Sequence, residues 1–101
     1  MSHLNGENPR LRLDPNATET FVQHVRAELQ KRSVSALIID MGSVERISPT
    51  ILQALRAAGE EAQVASKDLW IDGAAPVIYK ALQLAKLGPF FKRLHHATAA
   101  S

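Results

Sequence analysis

The hydroxyl groups of Ser48 and Thr50 are the groups in this sequence that are best placed for chemistry. They flank Pro49, where an apolar pattern with helical spacing begins. Ser48 is therefore expected to cap a helix, and Pro49 to occupy its first turn, where a backbone N–H is not needed. The N–H groups and dipole of a helix N-terminus favour an anion, so a phosphate added here would be tolerated while changing the surface charge by about −2. A plain helix cap explains Ser48 without any function.

Asp40 is the second residue whose position suggests a role. It stands near the end of a short apolar run, and open α/β sheets bind their ligands at the carboxyl ends of the strands. The simpler interpretation is a structural hydrogen bond to the following turn or to a helix N-terminus. A crevice beside Asp40 is also the only place where the sequence offers a site for a nucleotide or a lipid.

Residue patterns typical of other chemistry are missing from the sequence. The five glycines are scattered, and none belongs to a phosphate-binding loop such as GxGxxG. The chain has no cysteine, and its adjacent histidines, His95 and His96, would point to opposite faces of a strand. We therefore expect a protein that is not an enzyme, with no catalytic residues, no bound metal and no cofactor.

Size and charge narrow the class of protein further. The 101 residues suit one domain, and the 12 basic and 10 acidic side chains give a net charge of +2 without a long basic run. A nucleic-acid partner is therefore not expected. The N-terminus lacks the pattern of a signal peptide, and no apolar stretch approaches the ~20 residues of a membrane span. A cytoplasmic protein without membrane insertion is predicted.

Apolar periodicity predicts successive pairs of a strand and a helix. The first pair is an edge strand at residues 10–13 and a helix that Asn16 caps, with Glu19 three positions later. The second pair is a buried central strand at 34–41 and the helix that Ser48 caps. This succession favours an α/β sheet with parallel neighbours.

The third pair is a strand at 67–72 and a helix that begins at Pro76 and ends before Gly88 and Pro89. A last short strand is expected at 90–94. The buried side of the third helix is expected to carry Val77, Ile78, Ala81, Leu82 and Ala85.

The order of these features resembles that of the STAS domain, the fold of bacterial anti-sigma factor antagonists that is also found appended to sulfate transporters. The resemblance depends on the strand ALIIDM at 36–41 followed by GSV, on the capped helix with Ala54 and Leu55, and on the stretch VIYKALQLAKL at 77–87 before two phenylalanines. It implies helices packed against a central mixed β-sheet of about four strands. The expected organisation is a flexible leader, one STAS-like domain and a flexible tail, at 1–9, 10–94 and 95–101.

The family's switch is an Asp-Ser-Ser-Gly-like turn that opens the second helix, in which a partner kinase phosphorylates the first Ser or Thr. Ser48, Pro49, Thr50 and Ile51 stand at these four positions, and all four depart from the pattern. Pro49 has no hydroxyl at the acceptor position, so Ser48 and Thr50 are the phosphorylation candidates. The resemblance therefore implies either a phosphorylated switch or a protein without phospho-control.

By this resemblance the chain is a protein-binding module in signal transduction, acting in partner switching and transcription regulation. Its partner would be an anti-sigma factor or a serine/threonine kinase, and homodimer formation is a further expectation. Alternatively, it is an accessory STAS subunit that braces the ATPase of a lipid-transporting ABC complex. The predicted contact residues lie at the end of the central strand, in the following loop and on the second helix: Asp40, Ser43, Arg46, Ser48, Pro49, Thr50, Gln53 and Arg56.

Overall fold

The computed structural model describes residues 8–93 of the chain. In these residues, three strand-helix pairs are followed by a 3-10 turn and a short strand. The elements are β1 (Arg10–Arg12), α1 (Thr18–Leu29), β2 (Ala36–Asp40), α2 (Pro49–Ala65), β3 (Asp68–Asp72), α3 (Pro76–Leu84), the 3-10 turn (Gly88–Phe90) and β4 (Lys92–Arg93). All of the predicted tail and all but Asn8 and Pro9 of the predicted leader lie outside the described residues.

The four strands form one sheet in the order β1-β2-β3-β4, which is also their order along the chain. This confirms the α/β fold, with β1 at an edge and β2 in the interior. Every strand pair in residues 8–93 is parallel. An antiparallel component, which a mixed sheet requires, is therefore not part of the described sheet.

One face of the sheet carries the helices. A parallel strand-helix-strand connection is right-handed, so three such connections made in the same direction place α1, α2 and α3 on the same side. The side chains of β2 and β3 that face them are almost fully buried and share one core with residues of all three helices. These side chains are Leu37, Ile39, Leu69 and Ile71.

The second face of the sheet carries alternate residues of the same strands. Ile38 and Trp70 lie side by side there and are half-buried. At the carboxyl ends of the strands, Asp40 and Asp72 are also neighbours, and like charges in that position repel. The guanidinium of Arg10 offsets the repulsion, because its Nη1 lies 2.8 Å from Asp72 Oδ2 and 3.8 Å from Asp40 Oδ2.

The N-terminus of α1 differs from the prediction. The helix begins one residue later than an Asn16 cap requires, and its N-cap is Ala17, which has no side-chain hydrogen bond. The backbone N–H of Asn16 instead donates to Asp14 Oδ1 at 2.9 Å. The expected Asn16 cap was therefore wrong, because Asp14 closes the turn before the helix starts.

No helix within residues 8–93 is long and apolar enough to cross a bilayer.

The C-termini of α2 and α3 are formed without glycine. Ser66 and Lys86 adopt the left-handed conformation, with φ of 59° and 63°, and each turns the chain out of its helix. As a result α3 ends at Leu84, earlier than the predicted end before Gly88. The prediction that Val77 is buried was also wrong, since 65% of its surface is exposed. This nine-residue helix buries only two of its residues, Ile78 and Leu82.

The 3-10 turn packs directly on α2. Gly59 is buried in the middle of that helix, and a Cβ built at Gly59 would lie 2.5 Å from Cγ of Phe90. Only a residue without a side chain allows the ring to approach the helix backbone this closely.

Candidate functional site

The N-terminus of α2 has the geometry that the sequence predicts. Ser48 is the N-cap in an extended conformation, and its Oγ accepts a hydrogen bond from the backbone N–H of Ile51 at 3.2 Å. Its carbonyl oxygen accepts the N–H of Leu52 at 2.9 Å. Pro49 follows as the first helical residue. The half-buried hydroxyl of Ser48 thus serves the helix, as the plain interpretation of this residue requires.

Thr50 is the accessible hydroxyl at this helix end. It is exposed, and it lines a groove between α1 and α2 with a volume of about 520 Å³. We call this the α1–α2 groove. Its more buried wall consists of small or apolar side chains and its rim of polar ones. The wall is formed by Val22, Ala54 and Ala57, and the rim by Thr18, Glu19, Gln23, Arg26, Thr50 and Gln53.

The charges at the groove are few and of both signs. Arg26 is partly neutralised, because its Nε donates to Glu61 Oε2 at 2.9 Å. Glu19 lies in the first turn of α1, where its carboxylate interacts favourably with the helix dipole. Within residues 8–93 no three potential metal ligands form a cluster. The groove therefore offers hydroxyl and amide hydrogen-bonding groups around a small apolar patch, which suits the binding of another protein's side chains.

The remaining predicted contact residues are Ser43, Arg46 and Arg56, on the β2–α2 loop or on α2, and Asp40, on β2. Ser43 and Arg46 belong to the loop between β2 and α2, and Arg56 is exposed on α2. Arg56 also contacts the end of α3, because its Nη2 donates to the carbonyl oxygen of Ala85 at 3.3 Å. These three residues are thus on the loop or the helix that forms the groove.

Asp40 lies on the other side of the sheet. Its side chain points away from α2, because it alternates along β2 with the helix-facing Ile39. Asp40 Oδ1 accepts the backbone N–H of Gly42 at 2.9 Å, which confirms the expected hydrogen bond to the following turn. Asp40 Oδ2 lies 3.9 Å from Nε of Arg12. The crevice considered for a nucleotide or lipid is thus occupied in part by the chain's own hydrogen bonds, and a partner contact of Asp40 stays a prediction.

Sequence reasoning missed the contribution of α1 to the groove. Thr18, Gln23 and Arg26 occupy the polar side of that helix, which reads as ordinary solvated surface. The available signal was topological. Consecutive parallel strands joined by right-handed connections place their helices next to one another, so the polar edge of α1 must adjoin the start of α2.

Comparison with known proteins agrees with this architecture. A family model described as "Mlab, STAS domain" matches residues 4–92. The solved structure of the anti-sigma factor antagonist SpoIIAA in its unphosphorylated form is similar, with a TM-score of 0.65 and 16% identity over 91% of this chain and 84% of that chain. The phosphorylated form of SpoIIAA, a Bacillus cell fate determinant, gives a TM-score of 0.61 and 17% identity over 89% and 83% of the two chains.

No curated protein matches the sequence. The two structural similarities are at low identity and concern the fold. The family model, in contrast, spans most of the chain, from the leader to β4. On that match, the protein belongs to the STAS domain family.

Proposed function

We propose that this STAS domain is a non-enzymatic regulatory module that binds a partner protein through the N-terminal half of α2. The observation that carries the proposal is the α1–α2 groove, where Thr50 and Gln53 meet the polar side of α1. The loop that holds Ser43 and Arg46 leads into the same helix end. A partner side chain placed in the groove would contact the small residues Ala54 and Ala57 and hydrogen-bond to the rim.

The proposed partner is an anti-sigma factor or a serine/threonine kinase in the cytoplasm. The support is the similarity in fold to SpoIIAA, which is described as an anti-sigma factor antagonist and is known in phosphorylated and unphosphorylated forms. In this chain Pro49 cannot accept a phosphate, and Ser48 Oγ is engaged in the cap. Thr50 is therefore the acceptor we propose. A phosphate on Thr50 would add a charge of about −2 beside the groove and weaken docking.

Site-directed photocrosslinking tests the proposed surface. A photoreactive amino acid is placed at Thr50 or Gln53 of the full chain in the source cell, and Gln30, exposed at the other end of α1, serves as the control position. We expect one discrete crosslinked protein from Thr50 and from Gln53, and none of it from Gln30. Equal crosslinking from all three positions, or none from the groove, would contradict the proposal.

Phosphorylation is tested once the partner is purified. Incubation with the partner and ATP, followed by mass spectrometry, should place a phosphate on Thr50. Thr50→Glu should then weaken partner binding at least tenfold, whereas Thr50→Ser should not. Absence of any phosphate on Thr50 or Ser48, with partner binding intact, would remove the switch and leave a module that binds constitutively.

A second candidate partner is the ATPase of a lipid-transporting ABC complex. Two observations favour it: the matching family model carries the description "Mlab, STAS domain", and Pro49 occupies the position where a phosphate acceptor is expected. The same crosslinking experiment separates the candidates. Identification of the crosslinked protein as an ABC ATPase would establish this alternative, and a sigma-factor regulator or kinase would exclude it.

A further inference from the structure

Helix α3 exposes large apolar side chains on its outer side. Val77 is 65% exposed and Leu84 is 76% exposed, and the two are seven residues apart, which places them on the same side of the helix. Lys80 and Ala81 lie between them on that side. Ile78 and Leu82 are buried and fix the opposite side of the helix on the core. The exposed residues therefore form a fixed outer strip, consisting of Val77, Lys80, Ala81 and Leu84.

The charges of the chain segment that carries this strip are of one sign. All ten acidic residues of the chain precede Gly73, whereas the sequence from Gly73 onward contains four basic residues and no acidic ones. Of the four, Lys80 lies within the strip, and Lys86 follows the end of α3 and is also exposed. A surface with apolar side chains among cations and no nearby anion on its own segment is complementary to an apolar surface that carries negative charges.

We propose that the outer strip of α3 together with Lys86 is a peripheral docking surface for an anionic lipid bilayer. Val77 and Leu84 would enter the boundary between headgroups and acyl chains, and the ammonium groups of Lys80 and Lys86 would remain at the level of the lipid phosphates. Only the tips of two side chains enter the bilayer, so the contact is shallow and reversible.

The residue types favour a lipid surface over an acidic protein. The centres of protein interfaces are enriched in aromatic residues and arginine and depleted in lysine. The strip is aliphatic, and its cation is a lysine, a flexible point charge that suits mobile lipid phosphates better than a fixed carboxylate pair. The strip is also the outward-facing side of a helix, which a deformable bilayer surface can accommodate. This proposal rests on α3 and is independent of the function proposed for the α1–α2 groove.

Vesicle co-sedimentation tests the proposal with the full chain. The probes are vesicles of phosphatidylcholine with phosphatidylglycerol, compared with vesicles of pure phosphatidylcholine. We expect binding to the anionic vesicles that falls as salt is raised, and little binding to the neutral ones. Lys80→Gln with Lys86→Gln should lower the partition constant about 25-fold, because each cation contributes roughly fivefold. Val77→Ser with Leu84→Ser should lower it by about tenfold or more, because apolar burial is lost.

Matched controls remove the same groups elsewhere. Val64 is 86% exposed on α2 beside Glu60 and Glu61, so Val64→Ser deletes an exposed apolar side chain outside the strip. Lys31→Gln with Arg32→Gln deletes two charges at the end of α1. Both controls should bind like the unmodified chain, and circular dichroism should be the same for all variants.

Three results would overturn the proposal. They are failure of the unmodified chain to bind anionic vesicles, equal binding to neutral vesicles, and losses in the control variants as large as those in the α3 variants.

Discussion

A methyl group added at Gly59 tests how closely the 3-10 turn packs on α2. An ideal Cβ at this position would lie 2.5, 2.7 and 2.8 Å from Cγ, Cβ and Cδ1 of Phe90. Cβ of Phe90 is bonded to the backbone, and neither Cβ nor Cγ moves when the ring turns about the Cβ–Cγ bond, so rotation of the ring cannot relieve the contacts. The 3-10 turn itself must move away from the helix in Gly59→Ala.

Two opposing effects set the change in the free energy of unfolding of Gly59→Ala. Alanine is favoured over glycine in a helix interior by about 0.8–1 kcal/mol, which stabilises the variant. Overpacking a filled site destabilises by about 1–3 kcal/mol, and contacts this short place the effect at the upper end. We therefore expect Gly59→Ala to lower the free energy of unfolding by about 1–2 kcal/mol, against the direction that helix propensity predicts.

Urea unfolding followed by circular dichroism measures this change. Gly88→Ala is the matched control, because a Cβ there meets nothing within 4 Å, and its effect should stay within about 0.5 kcal/mol. Gly59→Ala combined with Phe90→Gly should cost at least about 1 kcal/mol less than the two single losses together, since all three contacting atoms of Phe90 are then absent. A Gly59→Ala protein more stable than the unmodified chain would refute the packing of Phe90 on α2.

Substitutions at four further residues test the fold by the same unfolding measurement. Leu37→Ala should cost about 2–5 kcal/mol because Leu37 is fully buried under the helices, whereas half-buried Ile38→Ala should cost about 1–2 kcal/mol; equal losses would contradict the two-face description. Ser48→Ala should cost about 1 kcal/mol through loss of the Ile51 hydrogen bond, and Ser48→Asp should restore it; no loss would exclude the cap. Lys67→Met should cost about 1 kcal/mol because Nζ of Lys67 donates to the carbonyl oxygens of Leu29 and Lys31 at the end of α1; an unchanged midpoint would show that water replaces both bonds.

Local signals predicted the parts of this fold that depend on neighbouring residues. Ser48 and Pro49 marked the start of α2 because a cap and a first-turn proline act within four residues. The apolar run that contains Leu37 and Ile39 identified the interior strand, because both faces of such a strand are at least partly covered.

Features set by distant residues were not predictable in this way. The ends of α2 and α3 have a left-handed backbone conformation at Ser66 and Lys86, and the sequence has no glycine at either position to indicate it. Val77 fits the apolar period of α3 as well as Ile78 does, and only the position of the helix on the sheet decides which one is buried. The α1–α2 groove likewise exists only once two helices that are distant in sequence have packed together.

The strands have the same order in the sheet as along the chain, and this affects how the molecule folds during synthesis. Each new strand pairs with the one made just before it, so no segment has to wait for a remote partner that is synthesised later. Each pairing can close as soon as one further strand-helix unit has been made, and domains begin to fold during synthesis. We expect the sheet to grow in one direction on the ribosome, starting from the Arg10–Arg12 strand and finishing at Lys92–Arg93, and nascent chains arrested at increasing lengths should gain protease resistance stepwise in that order.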